Sequence, residues 1–344
     1  MPVEEYVAAV AKELDLRFPT DDRGEIETLY FGGGTPSRLG GEGIARLIDE
    51  IRRRASLAPG AEITIEANPE DVSSESARAW RAAGVNRLSL GGQSFDNDVL
   101  TWMHRTHDSA AIARAVDIAR REELDNISLD LIFAVPERAA GSWERDVARV
   151  LELEPSHVSL YGLTIEPHTV LGRRQQRGEL AESGEETYER EFLYAHDALG
   201  AAGFEHYEVS NFARPRARSR HNSVYWSGRR YAGLGPSSHE FDGASRRWNL
   251  AAYADWLSTV QAGRDPIAGC ETLTTENRLA ETVYLGLRTV DGLCVSEEEL
   301  ARIAIWAEAG WATIHDSSLV RLTARGWLRL DALAADLTLF RSRY

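Results

Sequence analysis

Short apolar runs in this chain end repeatedly in glycine, hydroxyl, amide or carboxylate groups, the residue types that hold a polar small molecule. Leu29-Tyr30-Phe31 runs into Gly32-Gly33-Gly34-Thr35-Pro36. Glu66 closes a second run before Asn68-Pro69, and a third ends in Gly91-Gly92-Gln93-Ser94. Asp130 sits inside a fourth, and Tyr161-Gly162 ends a fifth. Glycines let backbone N–H and C=O groups approach a ligand, and Thr35 adds a hydroxyl. Glu66, Gln93 and Asp130 on apolar strands each need a partner, because an unpaired buried polar group costs about 1–3 kcal/mol. A ligand with ammonium, carboxylate and ribose hydroxyl groups would supply such partners. Taken singly, the residues have plainer uses: a tight turn for the glycines, a structural arginine for Glu66, a helix cap for Gln93.

Those positions need elements to hold them. The pattern predicts strands at 27–31, 62–67, 87–90, 127–133, 157–163 and 205–209. Helices are predicted near 41–54, 74–83, 109–122, 142–153 and 185–202. This alternation is that of βα units, whose ligands sit at the carboxyl ends of parallel strands. The series opens on a helix, with Tyr6, Val10 and Leu14 four residues apart, and not on a strand. After Asn211 come a basic stretch, ARPRARSR, then HNSVYW, then the glycine-rich YAGLGPSSHEFDG. Two domains are expected, residues 1–240 and 241–344, the second mostly helical with a small winged-helix-like hairpin.

The 344 residues are 43% hydrophobic, enough for a sizeable core. No apolar run reaches the roughly 18 residues of a membrane span. The start, MPVEEYVAAVAKELD, lacks the basic-then-apolar order of a signal peptide, so the expected location is the cytoplasm. A net charge of −15 disfavours nucleic acid as partner. Cys270 and Cys294 are the only cysteines and are expected to be unpaired core thiols.

Taken in order, the segments LYFGGGTPS, TIEANPE, RLSLGGQSF, LTWMHRTH, ISLDLIFAVP and SLYGLTIEP resemble one family. It is the radical S-adenosylmethionine (SAM) family that contains HemW heme chaperones and oxygen-independent coproporphyrinogen III oxidases. HNSVYW, YAGLGPSSHEF and RRWN resemble the HemW branch, and LTARGWLRLDALAADL resembles its C-terminal domain. The resemblance runs from about Val3 to Leu339. It implies an α/β fold, a radical-SAM-type (β/α) barrel without its first strand. It also implies that Gly33, Gly34, Thr35, Glu66, Gln93, Arg105 and Asp130 contact SAM or line its cavity. For HNSVYW it implies heme, with His221 as an iron ligand, Tyr225 and Trp226 against the porphyrin, and Arg214, Arg216, Arg218 and Arg220 near propionates. An isolated histidine beside aromatics is otherwise a hydrogen-bonded structural residue.

The family's [4Fe–4S] cluster is held by three cysteines, CxxxCxxC, in a segment before the one matching MPVEEYVAAVAKELD. This sequence contains no such motif. The expectation is an N-terminally shortened version or a cluster-less relative, with no catalytic residue assigned and no metal ligand. Two functions follow from the resemblance. One is a heme chaperone passing heme to an acceptor protein, a membrane-associated one among the options. The other is an oxidase decarboxylating propionates by radical chemistry. The HNSVYW segment favours the first. A barrel that binds some other nucleoside is the blander third reading.

Overall fold

The computed structural model describes residues 2–18, 24–136, 141–167 and 169–342. Helix α1 (Val3–Arg17) leads into strand β1 (Glu25–Phe31), and a 3-10 turn at Pro36–Leu39 leads into α2 (Gly40–Arg54). There follow β2 (Ser56–Ala67), α3 (Ser74–Ala83), β3 (Arg87–Gln93), α4 (Asn97–Trp102), α5 (Ser109–Arg121) and β4 (Ile127–Phe133). Next come α6 (Ser142–Leu153), β5 (His157–Gly162), α7 (Val170–Gln176), α8 (Glu185–Ala201) and the hairpin of β6 (Glu205–Glu208) and β7 (Asn211–Ala213). Strands β1 to β5 pair in parallel, β7 joins β5 antiparallel, and the sheet order is β1-β2-β3-β4-β5-β7-β6. This is a partial α/β barrel, its strands and helices at the expected places. The expectation missed β7, the short helices α4 and α7, and the first residues of β2.

The two faces of the sheet differ in chemistry. Ile63, Ile65, Leu88, Leu90, Leu129, Leu131, Val158 and Leu160 form one face and pack under the helices with Ile48, Trp80, Ile112 and Trp143. The alternate positions present Thr28, Tyr30, Glu62, Thr64, Glu66, Ser89, Gln93, Ser128, Asp130, His157, Ser159 and Tyr161. A parallel sheet covered on both faces is apolar throughout. Here strict alternation leaves one face polar, the condition for a barrel interior that takes a ligand.

The rest of the chain closes this face at one side. Helix α9 (Arg220–Trp226) crosses to β1, β8 (His239–Phe241), β9 (Ser245–Asn249) and β10 (Ile267–Thr272) form an antiparallel sheet, and α10 (Tyr253–Gln261), between β9 and β10 in the chain, packs on α1. Helix α11 (Thr275–Arg288), β11 (Leu293–Cys294), α12 (Glu297–Glu308), β12 (Ala312–His315), β13 (Leu319–Leu322), α13 (Ala324–Trp327) and α14 (Leu330–Arg341) complete the fold. The order β11-β13-β12 with three flanking helices is winged-helix-like. Position 240/241 falls within β8. Residues 288–290 pair with the exposed edge of β6, through Val209 N–H to Arg288 O (3.3 Å) and Val290 N–H to Tyr207 O (3.0 Å). That contact covers an edge that would otherwise be a template for aggregation.

Two expectations are corrected here. Cys270 and Cys294 are unpaired but exposed, not core thiols, because short β10 and β11 turn them to solvent. The glycine-rich YAGLGPSSH segment is structural: a Cβ at Gly233 would lie 2.1 Å from His239 O, so only glycine permits the crossing. Buried Glu13 clamps that segment, accepting from Gly235 N (2.9 Å), Asn249 Nδ2 (2.6 Å), Trp256 Nε1 (2.9 Å) and Arg17 (2.6 Å).

Candidate functional site

Glu66 organises the glycine loop. Its Oε1 accepts from Tyr30 OH (2.5 Å) and its Oε2 from Gly33 N (3.1 Å). Gly32 lies on this pair, since a Cβ there would come within 2.3 Å of the Tyr30 ring and 3.0 Å of Glu66 Oε1. Gly33 has φ +104°, a conformation glycine adopts at little cost. Added Cβ atoms at Gly33 and Gly34 would meet nothing within 4 Å, so the loop borders open space.

The end of β3 is built on the same plan. Gln93 is held at φ +65°, a strained conformation for a non-glycine residue, where the register against β4 slips. Gly91 makes room for it: a Cβ there would be 2.9 Å from Gln93 Nε2. His107 ties the following loop down, with Nδ1 at 3.1 Å from Glu70 Oε2 and Nε2 at 3.2 Å from Gly92 O. Arg105 projects from that loop, exposed; its backbone N–H donates to Leu100 O (2.9 Å), and its guanidinium has no hydrogen bond or ion pair among the described residues.

Asp130 lies in the floor. Ser89 Oγ reaches its two oxygens at 3.0 and 3.3 Å, and Ser128 Oγ one of them at 3.3 Å. Burial outweighs these hydrogen bonds and pushes the carboxyl up from 3.8 to about 6. Ser128 also meets His157 Nδ1 at 2.7 Å, and His157 Nε2 meets Tyr207 OH at 2.8 Å. Burial holds His157 neutral, well below the usual imidazole range.

The HNSVYW segment is helix α9, and Glu62 fixes its start. Both carboxylate oxygens accept backbone N–H groups, Arg220 N at 3.0 Å and His221 N at 2.9 Å, with Ser219 as N-cap. These are donors a helix start leaves unpaired, and the negative charge suits the helix dipole. His221 and Tyr225, four residues apart, share one face. His221 stacks on Tyr30 with centroids 4.8 Å apart and planes 12° apart. Its Nδ1 lies 2.9 Å from Thr28 Oγ1 and its Nε2 2.8 Å from Tyr225 OH. Burial lowers His221 to about 4, so the ring is neutral near pH 7. Trp226 lies under the Arg288 guanidinium, 4.0 Å from its ring centre.

The sequence-predicted residues fall into two groups. Gly33, Gly34, Thr35, Glu66, Gln93, Arg105 and Asp130 all sit on or beside the polar face or its strand-end rim, and Tyr30 joins them to His221 and Tyr225. The arginines before α9 are engaged elsewhere. Arg214 donates to Pro155 O and Ala202 O (each 3.3 Å), Arg218 pairs with Glu205 and Asp291, and Arg220 donates to Gly60 O (2.7 Å). Arg216 stands exposed. Sequence reasoning missed Thr28, Tyr30, Glu62, Ser89, Ser128 and His157. The alternation in EIETLYF, EITIEA, RLSLGGQ, ISLDLIF and HVSLYG places them on one face, because every second residue faces the site.

Comparison with known proteins decides the family. The radical SAM superfamily profile matches residues 4–149. The heme chaperone HemW of Mycobacterium tuberculosis is 37% identical over 339 residues, covering 97% of this chain and 86% of that protein. The chain belongs to the HemW family. HemW of Bacillus subtilis is 33% identical over 295 residues, 85% of this chain and 77% of that one. Coproporphyrinogen III oxidase (HemN) from Escherichia coli, a radical SAM enzyme, superposes with a TM-score of 0.81 over 97% of this chain and 82% of its own. At 22% identity that likeness speaks for the fold.

HemW family membership within the radical SAM superfamily implies SAM and a [4Fe–4S] cluster, and the residues answer the two differently. The open space at Gly33 and Gly34, the unpaired Arg105 and the exchangeable Asp130 carboxyl fit a ligand carrying both charges and hydroxyls. Such a cluster needs thiolates. Cys270 and Cys294 stand in different sheets, and no three His, Cys, Asp or Glu residues converge among the described residues. Those residues do not fit a cluster.

Proposed function

We propose that this chain is a heme-handling chaperone, binding heme and passing it to an acceptor protein, with SAM held on the polar face of the barrel. The observation that carries the reading is helix α9: His221 and Tyr225 present a neutral imidazole and a phenol beside the Tyr30 ring, next to the glycine loop. A neutral imidazole nitrogen is a common iron ligand. Near full-length similarity to proteins named heme chaperone HemW supports the same reading.

In this reading, Gly33, Gly34, Thr35, Glu66, Gln93, Arg105 and Asp130 hold SAM, and His221, Tyr225 and Trp226 meet heme. SAM supplies an ammonium, a carboxylate and ribose hydroxyls. Glu66 and Asp130 suit the ammonium and hydroxyls, Arg105 the carboxylate. In this reading residues 1–240 form the barrel domain that carries the polar face, and 241–344 form the C-terminal domain, whose residues 288–290 cover the β6 edge. The acceptor is a protein, the setting cytoplasmic. No helix among the described residues is long and apolar enough to cross a membrane.

Coproporphyrinogen oxidation is the second reading, favoured by the HemN-like fold. A hemin titration run beside an assay for protoporphyrinogen formation separates the two. Saturable hemin binding without turnover is expected, and turnover would overturn the chaperone reading. For the SAM assignment, Glu66→Ala is expected to weaken SAM binding by calorimetry at least tenfold with circular dichroism unchanged. Unchanged affinity contradicts it.

A further inference from the structure

We propose that Tyr30 is a positioning residue that links the two ligand faces, so that a porphyrin bound through His221 on α9 changes the setting of the glycine loop at Gly33. The proposal rests on the heme reading and adds to it a path made of this chain's own side chains. The path is short and continuous. Tyr225 OH meets His221 Nε2 at 2.8 Å, the His221 ring stacks on Tyr30 at 4.8 Å, Tyr30 OH donates to Glu66 at 2.5 Å, and Glu66 accepts from Gly33 N at 3.1 Å.

Each joint has a reason to move with its neighbour. Both ring nitrogens of His221 are already engaged, Nδ1 with Thr28 Oγ1 and Nε2 with Tyr225 OH. An iron bond at Nε2 takes that nitrogen's lone pair, requires the ring proton on Nδ1 toward Thr28, and displaces the Tyr225 hydroxyl now 2.8 Å away. The imidazole must then leave its present place, and the ring stacked on it at 12° follows or loses its contact. Tyr30 cannot shift freely at its other end. Gly32 is in close contact with its ring, and its hydroxyl holds one of the two Glu66 oxygens. The remaining Glu66 oxygen holds Gly33, at φ +104°. By linkage, a ligand on the loop then alters porphyrin affinity by the same factor as the porphyrin alters the loop ligand's.

The test reads Gly33 directly and requires neither SAM nor a cluster. The sequence contains a single Phe-Gly pair, Phe31-Gly32, so carbonyl-labelled phenylalanine with 15N-glycine assigns Gly32, and triple-resonance spectra extend to Gly33. Zinc protoporphyrin IX, diamagnetic and taking one axial nitrogen, is added to the full chain, and its binding is followed by its own fluorescence. In the wild type the Gly33 amide resonance is expected to move on loading. In Tyr30→Phe, which keeps the stack but removes the hydroxyl, the porphyrin still binds and Gly33 stays in place. Glu66→Gln is a second variant, expected to silence Gly33 in the same way, and carries the test if the first is unstable. A Gly33 signal that stays still in the loaded wild type, or moves equally in either variant, overturns the link while leaving the heme reading intact. Failure of the wild type to bind the porphyrin overturns both.

Discussion

At Asp130 a carboxyl that the serines solvate only in part is raised by burial to about 6, whereas the unfolded chain has it near 3.8. Folding therefore favours its protonated form. Its contribution to stability is fully present below pH 3.8 and is lost as pH rises through 6. Asp130→Asn is expected to raise stability at pH 7.5 by on the order of 1–2 kcal/mol and to change it little at pH 4, as read from urea midpoints. Equal destabilisation at both values would contradict the assignment. Glu66 and Asp130 were legible in the sequence because charge on an apolar strand is conspicuous. Tyr30 was not, since an aromatic beside Phe31 reads as core, and only the structure shows its hydroxyl turned to Glu66. His221 was legible as a candidate, but its two existing partners, Thr28 and Tyr225, come from packing that spacing does not reveal.

Among the elements, α1 and α9 are held by carboxylates rather than by propensity. Glu13 is fully buried and accepts from Arg17, Gly235, Asn249 and Trp256, tying α1 to the segment before β8 and to α10. Removing it leaves Gly235 N and Trp256 Nε1 without their acceptor, while Arg17 keeps Glu240 and Gly233 O and Asn249 keeps Gly235 O, so Glu13→Ala is expected to cost about 2–5 kcal/mol in urea denaturation. A loss below about 1 kcal/mol would show the clamp to be replaceable by water. Helices α2, α3, α5, α6 and α8 were legible because their apolar stripes are local, whereas α4 and α7, six and seven residues long, are too short to show one. The antiparallel sheet β8-β9-β10 was not: its strands have three, five and six residues, and β10 is nearly all exposed. Its pairing depends on long-range contacts that leave no period in the sequence.

Across the whole molecule, two buried histidines are held neutral. Burial sets His206, stacked on Phe212 at 3.8 Å, down to about 3, and sets His157 well below its ordinary value. Their unfolded value is 6.5, so the stability they contribute is present above it and is lost as pH falls below it. At pH 5 His206 is expected to cost about 2 kcal/mol relative to pH 8, with His157 acting in the same direction, visible as a falling urea midpoint. His206→Phe, which keeps the ring contacts to Phe212 and Trp327, should remove the His206 share of that slope. An unchanged slope would contradict the assignment. At this scale the partial barrel was legible from the βα rhythm, and the family from its ordered motifs. The covering of β6 by residues 288–290 was not, because main-chain pairing is blind to side-chain type. The central claim is that α9 receives heme through His221, and a hemin titration followed at the Soret band tests it most directly. The wild type is expected to saturate at one hemin per chain, with His221→Ala weakening binding at least tenfold and altering the band. Equal affinity and an identical spectrum in the two proteins would contradict it.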